Sequence, residues 1–182
     1  MTRYILHGGF PHRDRQENNT FFAEALSTAP KEAKVLLVYF AKEEDRVEKN
    51  KEEDVEQFNK NSGGKMLSFQ VASKVDFVEQ VKNSDVIYLH GGHTGKLLEA
   101  LKEFPDFQEA IKGKIVAGDS AGPNVLCAAF YSMKVGVGEG LGIIPIKIIC
   151  HYREENKDKL NDIRTDLETL FLPEFQFKVL EM

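Results

Sequence analysis

Only two cysteines, Cys127 and Cys150, occur in the 182 residues, and both lie in apolar stretches. That excludes a disulfide framework and fits reduced core thiols in a cytoplasmic protein. Long hydrophobic runs are also missing. No segment approaches the roughly 20 apolar residues that a bilayer-spanning helix needs, and the apolar part of the N-terminal MTRYILHGG is too short for a signal peptide. A membrane partner is therefore not expected. Nor is there a basic patch or basic helix. The formal net charge is -5, with acids and bases interspersed, which argues against a nucleic-acid partner. Internal repeats and interdomain linkers are absent too, so residues 1–182 are expected to form a single domain with a substantial core.

What is present is an alternation of short apolar runs with longer segments of helical period. Residues 4–6, 34–41, 66–71, 86–89, 115–117 and 143–150 read as strands. The run KVLLVYFA at 34–41 is almost continuously apolar, as a strand covered on both faces would be. Helices are expected over 18–26, 76–82, 97–104 and 124–133, with another opened by Pro105 and Asp106. The charge-rich stretch 42–60 keeps Val47, Val55 and Phe58 at helical spacing, which predicts a solvated surface helix rather than disorder. Such alternation predicts an α/β fold, a parallel sheet with helices on both faces. Ligands bind such sheets at the carboxyl ends of strands. Three predicted strand ends carry glycine-rich turns: Gly8-Gly9, Gly91-Gly92 and Gly118 to Gly122.

The third turn reads Gly118-Asp119-Ser120-Ala121-Gly122, an instance of G-x-S-x-G between a strand and a helix. In that context the serine sits on a strained turn with its hydroxyl raised above the sheet edge. A serine hydroxyl needs a base to become a nucleophile. Of the five histidines only His151 follows Ser120, and it ends the apolar run 143–150, so it is the candidate base. The candidate acid is Glu139, the one carboxylate between them, in the glycine-rich VGVGEGLG; Glu154, Glu155 and Asp158 beyond the histidine are alternatives. An oxyanion would need backbone N–H donors. Ala121 supplies one, and Gly91 or Gly92 a second.

These features resemble the peptidase E and cyanophycinase family of serine peptidases, which have the class I glutamine amidotransferase-like fold. IYLHGGHTGKLLEAL (87–101) is similar to the family's Gly-Gly-Asn-Thr turn and helix, GDSAGPNVL (118–126) to its serine elbow, and GLGIIPIKIICHY (140–152) to the stretch ending in its histidine. The resemblance implies Ser120 as nucleophile, His151 as base, and Gly92 with Ala121 as oxyanion donors. It implies a small peptide substrate, cleaved after an N-terminal aspartate or in a related aspartyl peptide, and no metal or cofactor. His93 stands where the family has asparagine, and Pro123 where it has alanine. The loop carrying the family's acid is shortened, leaving Glu139 as a loose counterpart. Basic residues that hold the substrate aspartate follow the histidine in this family. Arg153 and Lys159 are the candidates here, with Lys157 and Arg164 nearby, none a clean match. The chain stops at Met182, earlier than the family pattern, which leaves a missing final strand as an expectation. A homodimer stands as an open alternative to a monomer.

Two other readings compete. Lipase-like α/β-hydrolases share Gly-Asp-Ser-Ala-Gly and a His-Gly-Gly segment, but place acid and then histidine far downstream of the serine. A catalytically degenerate member of the fold would bind a ligand without turnover; it is told apart by whether Ser120 and His151 meet beside an open pocket. A metal at His90 and His93 is disfavoured, because glycines separate them and no cluster in the sequence completes a site.

Overall fold

The computed structural model describes residues 1–182. Ten strands and six α-helices follow in the order β1 (Arg3–His7), α1 (Gln16–Leu26), β2 (Glu32–Val38), α2 (Glu44–Lys60), β3 (Met66–Val71), α3 (Phe77–Lys82), β4 (Val86–Leu89), α4 (Thr94–Lys102), α5 (Phe107–Ala110), β5 (Ile115–Asp119), α6 (Ala121–Leu126), β6 (Cys127–Ser132), β7 (Gly136–Glu139), β8 (Ile144–Cys150), β9 (Thr169–Leu172) and β10 (Phe177–Glu181). The first sheet runs β10-β1-β5-β4-β2-β3 and is parallel except for β10, which lies antiparallel to β1.

Successive strand residues point to opposite faces, and the two faces are both apolar, as crossover helices require. Ile5, Val35, Leu37, Val86, Tyr88 and Ala117 pack on one side with Phe21, Phe22 and Leu26 of α1 and Phe58 of α2. Leu6, Leu36, Val38, Ile87, Leu89 and Val116 pack on the other with Phe77, Leu97, Phe107 and Val125 from α3 to α6. Helix α2 carries most of its charges outward, and its fully buried Phe58 contributes on the order of 2 kcal/mol by leaving water. The same helix also buries Asp54 completely, which its charge-rich sequence conceals.

The expected single sheet is accompanied by a second one. Its order is β7-β6-β8-β9, and Cys127, Phe130, Ile144, Ile148, Cys150 and Leu172 join the same core as α3 to α6. The helix expected over 124–133 is therefore mostly strand. α6 stops at Leu126, and Cys127–Ser132 becomes β6, parallel to β8 and antiparallel to β7. Two flanking ladders outweigh the weak local preference of CAAFYS for helix. Gly140 makes the closure feasible: a Cβ there would sit 2.2 Å from the Cys127 carbonyl oxygen. β10 ends the chain as an edge strand beside β1. Both thiols are free and buried, and burial raises each thiol pKa.

Candidate active site

The elbow forms where β5 hands over to α6. Ser120 has φ 49° and ψ −90°, a left-handed conformation rarely held by a residue with a side chain. Gly118 and Gly122 let the turn press on β4: a Cβ on Gly122 would lie 2.6 Å from the Leu89 carbonyl oxygen. Pro123 is accommodated because it falls in the first turn of α6, where its missing N–H would have no intrahelical partner.

His151, one residue past β8, brings its Nε2 to 3.0 Å from Ser120 Oγ. Its Nδ1 lies 3.2 Å from Glu174 Oε1. An Nδ1–H donating to the Glu174 carboxylate leaves Nε2 free to accept from the hydroxyl, so both contacts are satisfied by one neutral tautomer. Glu174 also has Arg153 3.8 Å away.

Glu139 is elsewhere. The stretch read as a glycine-rich loop is β7, where Glu139 pairs with Ala129 and is exposed, with no hydrogen bond to His151. The carboxylate at His151 comes instead from the turn between β9 and β10. Only one signal pointed to Glu174: an acid in a Pro-containing break between two apolar runs, FLPEFQF. Glu154, Glu155 and Asp158 do not reach the histidine either; Glu154 accepts from Tyr152 and Lys157.

The three residues are held by three consecutive carbonyls of one turn. Ser120 N–H donates to His7 O at 3.0 Å, His151 N–H to Gly8 O at 2.9 Å, and Phe175 N–H, next to Glu174, to Gly9 O at 3.2 Å. The turn itself is pinned by His7. Its Nδ1 accepts from Gly9 N–H, so its Nε2–H donates to Asn18 Oδ1. Desolvation depresses the His7 pKa, Asp119 and Asn18 opposing, which keeps the neutral ring this pattern needs. Asn18 in turn donates to the carbonyls of Phe10 and Arg13. Of five non-glycine residues with positive φ, Phe10, Ser120, His151 and Phe175 all belong to this assembly. Such concentration of backbone strain marks sites where the surroundings over-determine a geometry.

The glycines of the turn are sterically required. A Cβ on Gly9 would lie 2.1 Å from His151 Cε1, and one on Gly8 would lie 2.0 Å from the Pro173 carbonyl oxygen. Gly9→Ala is thus expected to swing the imidazole off Ser120 and to lower kcat/KM about 100-fold. Steady-state kinetics with the thermal midpoint measured alongside checks this; unchanged kcat/KM would show that the ring is not set by this contact.

The candidate oxyanion donors separate. Gly91 N–H is already spent on Asp119 Oδ1 at 2.8 Å, and Tyr88 OH donates to the same oxygen. Asp119, buried next to the serine, therefore shapes the glycine turn. Gly92 N–H makes no backbone hydrogen bond, and Ala121 N–H opens α6 without an intrahelical acceptor. His93 is the N-cap of α4, its Nδ1 accepting from Lys96 N–H, and it is not on the wall of the cavity that holds Ser120. Arg153 lines the cavity at Ser120, whereas Lys159 stacks over the Tyr131 ring at 5.6 Å. The cavity measures about 530 Å³ and is walled by Phe10, Gly92, Asn124, Tyr131 and Met133 among others.

A family model described as peptidase family S51 matches residues 5–172. No curated protein matches the sequence. The fold is similar to the crystal structure of a peptidase from an acI-B1 Actinobacterium, with a TM-score of 0.76 at 22% identity over 100% of this chain and 84% of that one. It is also similar to a putative peptidase E protein from Listeria monocytogenes EGD-e, with a TM-score of 0.66 at 16% identity over 100% of this chain and 99% of that one.

Proposed function

Because this chain belongs to peptidase family S51, we propose that it hydrolyses small peptides as a serine peptidase, with Ser120 as nucleophile, His151 as general base and Glu174 orienting the imidazole. The observation that carries this reading is the continuous chain of contacts from Ser120 Oγ through His151 to Glu174 beside an open cavity. That same observation weighs against a degenerate member. The order serine, histidine, acid along the chain also differs from the serine, acid, histidine order of lipase-like hydrolases.

In the proposed mechanism, Ser120 Oγ attacks the scissile carbonyl carbon while His151 Nε2 takes the hydroxyl proton. Glu174 stabilises the imidazolium that results without itself taking the proton. The tetrahedral oxyanion is held by the N–H groups of Gly92 and Ala121, whose dipoles are in place before charge develops. His151 then passes the proton to the leaving amine, and the C–N bond breaks to leave an acyl-enzyme on Ser120. Water, deprotonated by the same nitrogen, attacks the ester and regenerates the hydroxyl.

A cavity of this size suits short peptides. Arg153, Lys42 and Lys134 line it and are the cations available to meet a substrate carboxylate, which supports the aspartyl preference that the family resemblance implies. Lys159 has no such position. The test is a dipeptide panel that includes aspartyl dipeptides, run beside labelling with a fluorophosphonate. Hydrolysis with the label mapped to Ser120 supports the reading. Turnover with no label on Ser120, or a label without turnover of any peptide, sinks it.

A further inference from the structure

His12, Asp54 and His90 are scattered along the sequence, yet the fold brings them together, the two histidines on the wall of the same cavity and Asp54 buried against both. His12 comes from the loop after β1, Asp54 from α2, and His90 from the end of β4. His12 Nε2 lies 2.6 Å from Asp54 Oδ1, and His90 Nδ1 lies 2.8 Å from Asp54 Oδ2. One ligand atom from each residue falls within 4.8 Å of the others. We propose that these three residues bind one divalent transition-metal ion, with Zn²⁺ the best fit to the donor set. The proposal is independent of the peptidase reading.

The donor chemistry is two imidazole nitrogens and one carboxylate oxygen, a set that suits zinc and leaves a coordination position open. In a tetrahedral site with bonds of about 2.0–2.1 Å, donors sit about 3.3 Å apart, so small ring rotations would suffice. The outer shell is already built. Tyr39 OH donates to Asp54 Oδ2 at 2.7 Å, the kind of contact that orients a ligating carboxylate. Asp54 is fully buried and His90 nearly so, and an anion so placed is costly unless cationic or hydrogen-bonded partners surround it. His12 and His90 line the cavity that contains Ser120, which provides an entry path.

Binding replaces the hydrogens that the two rings share with Asp54. A neutral ring moves its hydrogen, through solvent, to the nitrogen facing away from Asp54, and a charged ring releases its proton to water. Those other nitrogens, His12 Nδ1 and His90 Nε2, make no protein hydrogen bond and are not buried orphans, so they are free to carry a hydrogen. The ion would tie the loop after β1 to α2 and β4. That loop also carries Phe10, whose ring packs edge-on against His151 at 5.0 Å. The site is thus a clamp on the wall of the candidate active site.

The experiment strips the full-length protein of metal with a chelator, dialyses it, titrates it with zinc chloride in a calorimeter, and counts zinc retained after gel filtration. One Zn²⁺ per chain is expected, with a rise in thermal midpoint, as for any ligand that binds the native state alone. His12→Gln and Asp54→Asn should each weaken binding about 100-fold or more and abolish the rise. His12 is only partly buried, so His12→Gln is expected to stay folded even if Asp54→Asn does not, and the midpoint of each variant without metal shows which have folded. His151→Ala should bind as the parent does. No retained zinc in the parent overturns the proposal. So does a folded His12→Gln that keeps parental affinity, or loss of binding in His151→Ala, which would place the ion on the His151–Glu174 pair instead.

Discussion

Ser120→Ala is expected to lower kcat/KM for the best dipeptide by about 10⁴–10⁶-fold, and His151→Ala by a similar factor. The two should be far from additive. Once the hydroxyl is gone, the 3.0 Å contact to His151 has nothing to deprotonate, so the double variant should be little slower than either single one. Residual rate would come from the N–H groups of Gly92 and Ala121 and from binding alone. Stability should scarcely fall, because alanine relieves no packing and removes only one part-buried hydrogen bond. Kinetics of both single variants and the double variant decide this. Multiplying losses in the double variant would mean that the two side chains act in separate steps.

The second large effect is Glu174→Gln, expected to cost about 10⁴-fold in kcat. A glutamine can present an N–H to His151 Nδ1, which reverses the required tautomer and places the hydrogen on Nε2, where it meets the Ser120 hydroxyl. The imidazolium would also lose its 3.2 Å carboxylate partner. KM should change little, since the loss falls on the transition state rather than on binding. Glu139→Gln is the control and should leave kcat within about two-fold, because an exposed side chain on β7 away from His151 belongs with the surface substitutions of small effect. If Glu139→Gln were the damaging change and Glu174→Gln the silent one, the assignment of the acid would fail.

The predicted strands over 66–71 and 86–89 coincide with β3 and β4, and 143–150 differs from β8 by one residue. Their patterns are local properties: Val86–Leu89 is apolar throughout and buried on both faces, as a central parallel strand requires, whereas MLSFQV alternates along an edge of the sheet. The serine elbow was equally legible, since its glycines, the hydroxyl and the flanking strand lie within a few residues of one another. β6 was not. CAAFYS takes its conformation from β7, which follows it across a short turn, and from β8, and a ladder partner leaves no signature inside the strand that joins it.

The same division separates the parts of the site. Glycine-rich strand ends, Ser120, and a histidine at the close of an apolar run are all written in short stretches whose chemistry needs those residue types side by side. Glu174 lies 23 residues beyond His151, Gly91 is turned to Asp119 across 28 residues, and Asp54 meets His90 across 36 and His12 across 42. Each of those pairings depends on where the β1 turn, α2, the ends of β4 and β5, and the β9–β10 turn come to rest. A carboxylate in a charged run such as 42–60 looks solvated until packing removes its water, and only the assembled fold decides which acid that will be.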